Sequence, residues 1–116
     1  MIKRKNINVP TREHLNQLPH LNETEKIPLE DKVVHLHFQV DKCHWWAIEW
    51  DGEDTFFGLV LLHGCRQYAE FGYFTLSELQ EIKIEGWLEV VNDPFWTPAL
   101  AKEVYLIKTP PQFQSS

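Results

Sequence analysis

The run His44-Trp45-Trp46-Ala47-Ile48-Glu49-Trp50, the link Asp51-Gly52-Glu53-Asp54 and the run Thr55-Phe56-Phe57-Gly58-Leu59-Val60-Leu61-Leu62 decide the fold. Aromatic and β-branched residues dominate both runs, and Asp-Gly turn chemistry separates them, so the stretch reads as an antiparallel hairpin. Strict alternation puts Trp46, Ile48 and Trp50 with Phe57, Leu59 and Leu61 on one face. Trp45, Ala47, Phe56, Val60 and Leu62 make the other face apolar as well. Both faces therefore need cover. The helix expected after residue 75 can supply one cover, and the N-terminal helix, the C-terminal segment or a partner the other. Aromatic side chains left outside would serve as binding anchors.

Working outward, Val34, Leu36, Phe38 and Val40 alternate with Val33, His35, His37 and Gln39, which predicts a half-buried strand over 33–40. Phe71 to Phe74 adds a fourth strand. Thr75-Leu76-Ser77-Glu78 is a capping box that starts a helix, with Leu76, Leu79 and Ile82 on one stripe and an end near Gly86. Thr11 caps a short helix carrying Leu15 and Leu18 that Pro19 stops, and His20 to Lys32 reads as an anchored loop. Trp87 to Val91 and Val104 to Ile107 read as further extended segments, with one or two helical turns over Ala99 to Glu103 after Thr97-Pro98. The fold class is α+β, an antiparallel sheet of about four to six strands with two or three short helices packed on it. A flexible basic tail (1–10), one domain (11–108) and a frayed C-terminal tail (109–116) complete the organisation.

The chain has 116 residues, enough for one core without disulfide or metal support. No apolar run reaches the ~18 residues that span a bilayer. The basic start Met1-Ile2-Lys3-Arg4-Lys5 lacks the apolar stretch of a signal peptide, so a cytoplasmic location is expected and the two Cys read as reduced thiols. The net charge of -6 is uneven, because from Asn6 onward eight basic residues face seventeen acidic ones. Such a body repels a phosphate backbone, which disfavours direct nucleic-acid binding and favours a basic protein surface as partner.

Cys43, His44, His63 and Cys65 are candidate zinc ligands at the hairpin base. If Trp50 opposes Glu53 or Thr55, His44 shares a face with His63 and Cys65 while Cys43 points through the sheet. A bulge or a three-residue loop moves His63 and Cys65 beside Cys43 instead, so neither register gathers four ligands. His35 and His37 sit at a chelating spacing but read as the solvent side of an edge-like strand. No Gly-x-Ser-x-Gly elbow, phosphate loop or activated Cys-His pair is present, so no catalytic residue, metal or cofactor is assigned. The run Glu49-Trp50-Asp51-Gly52-Glu53-Asp54 packs four carboxylates into six residues. These could hold Mg²⁺, act as acid and base, meet Arg and Lys of a partner, or simply solvate a hairpin tip. The pattern favours docking, with Glu49, Trp50, Asp51, Glu53 and Asp54 as partner-binding residues and Glu30 and Asp31 as further carboxylates.

Ile27-Pro28-Leu29-Glu30-Asp31-Lys32, Asp51 to Val60 and Phe71 to Leu79 together resemble the uncharacterised domain-of-unknown-function family 2958. The ending Asp93-Pro94-Phe95-Trp96-Thr97-Pro98 is similar to that family's ending, although Val91 and Asn92 stand where it usually has a charged pair. The resemblance covers about Leu15 to Glu103. It implies a protein carried by plasmids, integrative elements and phages, with members linked to CRISPR inhibition. The expected function is thus a small non-enzymatic counter-defence inhibitor that docks an acidic and aromatic surface on a host nucleic-acid-binding effector such as a CRISPR effector. A metal-dependent enzyme or metal-binding protein using the carboxylates or the Cys/His ends, and a dimeric regulatory module, are the alternatives.

Overall fold

The computed structural model describes residues 9–62 and 69–104. Helix α1 (Arg12–Leu15) and a single 3₁₀ turn (Leu29–Asp31) precede the strands β1 (Val33–Val34), β2 (Leu36–Val40), β3 (Cys43–Trp50), β4 (Thr55–Leu61) and β5 (Glu70–Thr75). Then follow α2 (Leu76–Glu81), β6 (Lys83–Ile84), β7 (Leu88–Glu89), β8 (Val91–Asn92), β9 (Ala99–Leu100) and α3 (Ala101–Val104). Five strands form one antiparallel sheet in the order β5-β4-β3-β2-β8, and β1-β9 and β6-β7 are separate two-stranded ribbons. The expected α+β class is the one observed.

The capping residues act as the sequence predicts. Thr11 accepts the His14 amide at 3.1 Å. At α2, Thr75 accepts the Glu78 amide at 3.0 Å while the Glu78 carboxylate accepts the Thr75 amide at 2.9 Å. These bonds satisfy amides that have no partner inside the first helical turn.

The hairpin departs from strict alternation. At its base His44 faces Leu61 and Ala47 faces Gly58, the register expected had Trp50 faced Thr55. Between Ala47 and Glu49 the register slips by one, Ile48 is the extra residue, and Trp50 faces Phe56. A bulge flips every side chain beyond it. Trp50 consequently packs with Trp45, Ala47 and Phe56, not with Trp46 and Ile48. Gly58 permits the bulge: a Cβ there would collide with the Trp46 carbonyl oxygen and lie 2.9 Å from its carbon.

Two apolar clusters flank the sheet. Leu15 and Leu18 from the N-terminal helix region and Leu79 from α2 cover the face of Leu36, Phe38, Val40, Trp45 and Phe56. Both helices thus lie on one face. Val34, Trp46, Ile48, Leu59 and Leu61 form the second cluster, covered by Trp96, Ala101 and Val104 from the chain after β8. Val34 leaves the side of Leu36 because the strand is interrupted at His35, whose amide bonds the Ala47 carbonyl at 2.9 Å, and β1 pairs with β9. The segment 99–104 starts as a strand and only then turns helical, and the extended stretch expected over 87–91 is divided between β7 and β8. Val104 belongs to α3, while the rest of the last expected strand, the tail 109–116 and residues 1–8 of the basic tail lie outside the described residues. None of the helices described is long and apolar enough to cross a membrane.

Candidate functional site

Of the residues expected to meet a partner, two are interior. Glu49 is 4% exposed, and its carboxylate accepts the Asn22 amide at 2.9 Å, the Thr24 amide at 3.0 Å and the Thr24 hydroxyl. The buried Lys32 ammonium donates to that hydroxyl at 2.8 Å and to the Thr24 carbonyl. Burial pushes the Glu49 carboxyl up, but these hydrogen bonds and the Lys32 charge outweigh it and hold it below the usual range. Trp50 is also buried, its ring 4.5 Å from that of Phe56 and its amide bonded to the Pro19 carbonyl at 2.9 Å. Sequence reasoning grouped Glu49 with its acidic neighbours because the bulge that turns it onto the arm at residues 22–24 leaves no local signature.

The other expected residues are at the surface. Asp51 is exposed, and one of its oxygens accepts the amides of Glu53, Asp54 and Thr55 at 2.8, 2.8 and 3.0 Å. The Glu53 amide leads in holding its carboxyl below the usual range. Gly52, at φ +90°, supplies the left-handed step inside that turn. Asp54 reaches across to α2, accepting the Ser77 amide at 3.0 Å and the Ser77 hydroxyl, while its carbonyl accepts the Leu76 amide. Glu53 and Glu30 are exposed, and Asp31 pairs with Lys102 at 2.9 Å. Asp51, Glu53 and Asp54 form the hairpin tip, and Asp54 ties that tip to the start of α2, where Glu78 lies. Lys32, next to Glu30 and Asp31 in sequence, reaches the buried Glu49 through the Thr24 hydroxyl.

A second constellation was missed in sequence. His37, expected on a solvent face, is buried. Its Nδ1 lies 3.0 Å from Asp93 Oδ2 and its Nε2 lies 3.0 Å from His44 Nδ1. The two imidazole planes are within 9° with centroids 5.2 Å apart, so the rings join edge to edge. Trp46 lies nearly parallel to both, and Trp96 tilts against His37. Asp93 is held below the usual carboxyl range because hydrogen bonds from His37 and the Phe95 amide overcome its burial. Burial, then the neighbouring His37, pushes His44 down. The tight turn joining β2 to β3 carried the signal for the histidine pair: it sets Val40 opposite Cys43 and His37 opposite Trp46, with His44 on that same face. Asp93 arrives through the β2–β8 pairing, 56 residues from His37, and had no local signal.

Cys43 packs against the first apolar cluster, on the opposite face from His44, and His63 and Cys65 lie outside the described residues. Among the described residues no group of three or more His, Cys, Asp or Glu is arranged to hold a metal ion. In comparisons with known proteins, a family profile described as a protein of unknown function (DUF2958) matches residues 9–109. No curated protein and no solved structure matches the chain.

Proposed function

Because the chain belongs to the DUF2958 family, whose function is unknown, we propose that it is a non-enzymatic binding protein of a mobile genetic element, acting in the cytoplasm. It docks its acidic end on a basic nucleic-acid-binding surface of a host defence protein, in the manner of a CRISPR inhibitor. The observation that carries this reading is the fixed geometry of the hairpin tip: Asp51 is locked by three backbone amides and Asp54 by Ser77. Carboxylates held in place before binding lose little freedom on docking, and their common sign speeds encounter with a cationic surface. Asp51, held by its turn, and Glu53 and Glu30 are the exposed carboxylates available for direct contact, while the buried Glu49 and Trp50 lie next to the tip in β3.

The test is target-DNA binding by a purified, guide-loaded CRISPR effector of the host, measured with and without the purified chain. Wild-type protein weakens DNA binding, and Glu30→Lys with Glu53→Lys reduces that inhibition at least about tenfold at low salt, since each lost charge contact at an interface is worth roughly 1 kcal/mol or more. Thermal melts confirm that the doubly substituted chain folds. Undiminished inhibition by the doubly substituted chain, or no inhibition by the wild type, removes the proposal.

A further inference from the structure

Among the described residues, strand β5 ends the order β5-β4-β3-β2-β8 and has a strand on one side only. Which of its main-chain groups face outward follows from the hairpin. The Thr55 carbonyl accepts the Asp51 amide at 2.9 Å, so the main chain of Thr55 faces β3, and that of Phe56, Gly58 and Val60 faces β5. Their partners Phe74, Gly72 and Glu70 face back, which leaves the amides and carbonyls of Phe71 and Tyr73 pointing away from the sheet. Thr75, next in that series, fits: its amide leaves β4 and bonds the Glu78 carboxylate at 2.9 Å. The Phe71 and Tyr73 rings both lie against Phe57, which packs on the second apolar cluster, and Tyr73 is 63% exposed.

An outer strand edge is ordinarily guarded by a lysine, a proline or a bulge, and residues 70–75 carry none of these. Gly72 adds a second observation. Glycine weakens a strand interior, and the fold itself does not require one here, since a Cβ at position 72 would meet nothing within 4 Å; it suits the close approach of another backbone. We infer that β5 is the pairing edge of a weak homodimer, in which a second copy adds its own β5 antiparallel across a two-fold axis at Gly72. In that register Phe71 of each copy faces Tyr73 of the other, so the outward amides and carbonyls satisfy one another, and Gly72 faces Gly72 where the backbones come closest. The neighbouring registers fail. One sets Phe71 opposite Thr75, whose amide is already bonded, and the other sets Tyr73 opposite Ala69, which is fully buried. Charge agrees: Glu70 faces Phe74 and not another Glu70, and the acidic tips, tied by Asp54 to the helix that follows Thr75, stand at opposite ends of the paired strands. An aromatic side chain buries ~150–250 Å², so two Phe71 and two Tyr73, already partly covered by Phe57, fall short of the ~1,200 Å² of a stable interface. The dimer therefore forms and parts readily.

Sedimentation equilibrium and amide hydrogen exchange on the full chain test this. The mass is expected to be 13.8 kDa at about 10 µM and to rise toward twice that value as the concentration approaches about 1 mM. Over the same range the Phe71 and Tyr73 amides are expected to gain protection, while those of Gly72 and Phe74, which face β4, are protected throughout. Tyr73→Pro removes an outward amide without touching the β4 ladder, so the chain folds and its association weakens at least about tenfold. The inference is overturned if the mass stays at 13.8 kDa throughout, if a dimer forms while the Phe71 and Tyr73 amides exchange at the monomer rate, or if a folded Tyr73→Pro protein associates as the wild type does. The concentration dependence of exchange in the wild type decides the matter if Tyr73→Pro does not fold.

Discussion

A Cβ atom separates Gly58 from every other residue type. Strand β3 bulges toward β4 at Ile48, and the Trp46 carbonyl occupies the space a Cβ at position 58 would need. Backbone, unlike a flexible side chain, cannot yield without disturbing the ladder. Gly58→Ala is therefore expected to destabilise the protein by about 3 kcal/mol, the upper range for overpacked sites, read from urea unfolding. A loss below about 0.5 kcal/mol would show that the bulge relaxes freely. Glu49 carries a different cost. Removing its carboxylate with Glu49→Ala strands the buried Lys32 and two amides, and ~3 kcal/mol of stability should be lost. Glu49→Gln, which keeps an acceptor, is expected to lose less. Both residues stand in the sequence as ordinary members of a hairpin, and only the register shift gives them these roles.

Among the elements, the start of α2 was the most legible, because it depends on residues one turn apart. Its end was not: the helix expected to run to about Gly86 stops at Glu81, because Ile82 is extended and Lys83–Ile84 is drawn into pairing with Leu88–Glu89. Thr75→Ala removes the hydroxyl that accepts the Glu78 amide and should cost about 1 kcal/mol, seen as a lower melting temperature. Asp54→Ala tests the tie between hairpin tip and helix: exchange protection is expected to fall at Ser77 while β2 and β3 are unaffected. Protection unchanged at Ser77 would mean the tip and helix hold independently. Strand β3 was legible as an element but not in its facing. The 43–50 segment is apolar at nearly every position, so periodicity placed it in a strand without locating the extra residue. Segment 99–104 was misassigned for a related reason. Thr97-Pro98 is sound helix-start chemistry, yet Ala99 and Leu100 are drawn into pairing with β1, a contact more than 60 residues away.

At the scale of the molecule, several shifted groups act in the same direction with pH. Glu49 and Asp93 have their carboxyls depressed, each against the opposing effect of burial, and Asp51 has its own depressed first by the Glu53 amide. A depressed carboxyl contributes stability above its unfolded value and loses it as pH falls through the folded one. His44 and His35 are depressed by burial, so the fold favours their neutral forms and they too contribute above their ordinary value of 6.5. Stability should thus be highest near neutral pH, begin to decline just below 6.5 and fall further in the carboxyl range, as measured by urea midpoints between pH 8 and pH 3. A midpoint that rises on acidification would contradict these environments.

What depends on near neighbours could be read from the residues alone: the alternation of Leu36, Phe38 and Val40, the Asp-Gly turn, the Thr11 cap, the capping box at Thr75 and the excess of acid over base. These follow from residues a few positions apart, whose steric and hydrogen-bonding preferences act before the chain is folded. Tertiary structure decided what depends on residues brought together from far away. It buried Glu49 under an arm 25 residues upstream, divided the covering segments between the two sheet faces and delivered Asp93 to His37. A carboxylate is the same letter whether water or a backbone amide solvates it, and only packing settles which one does.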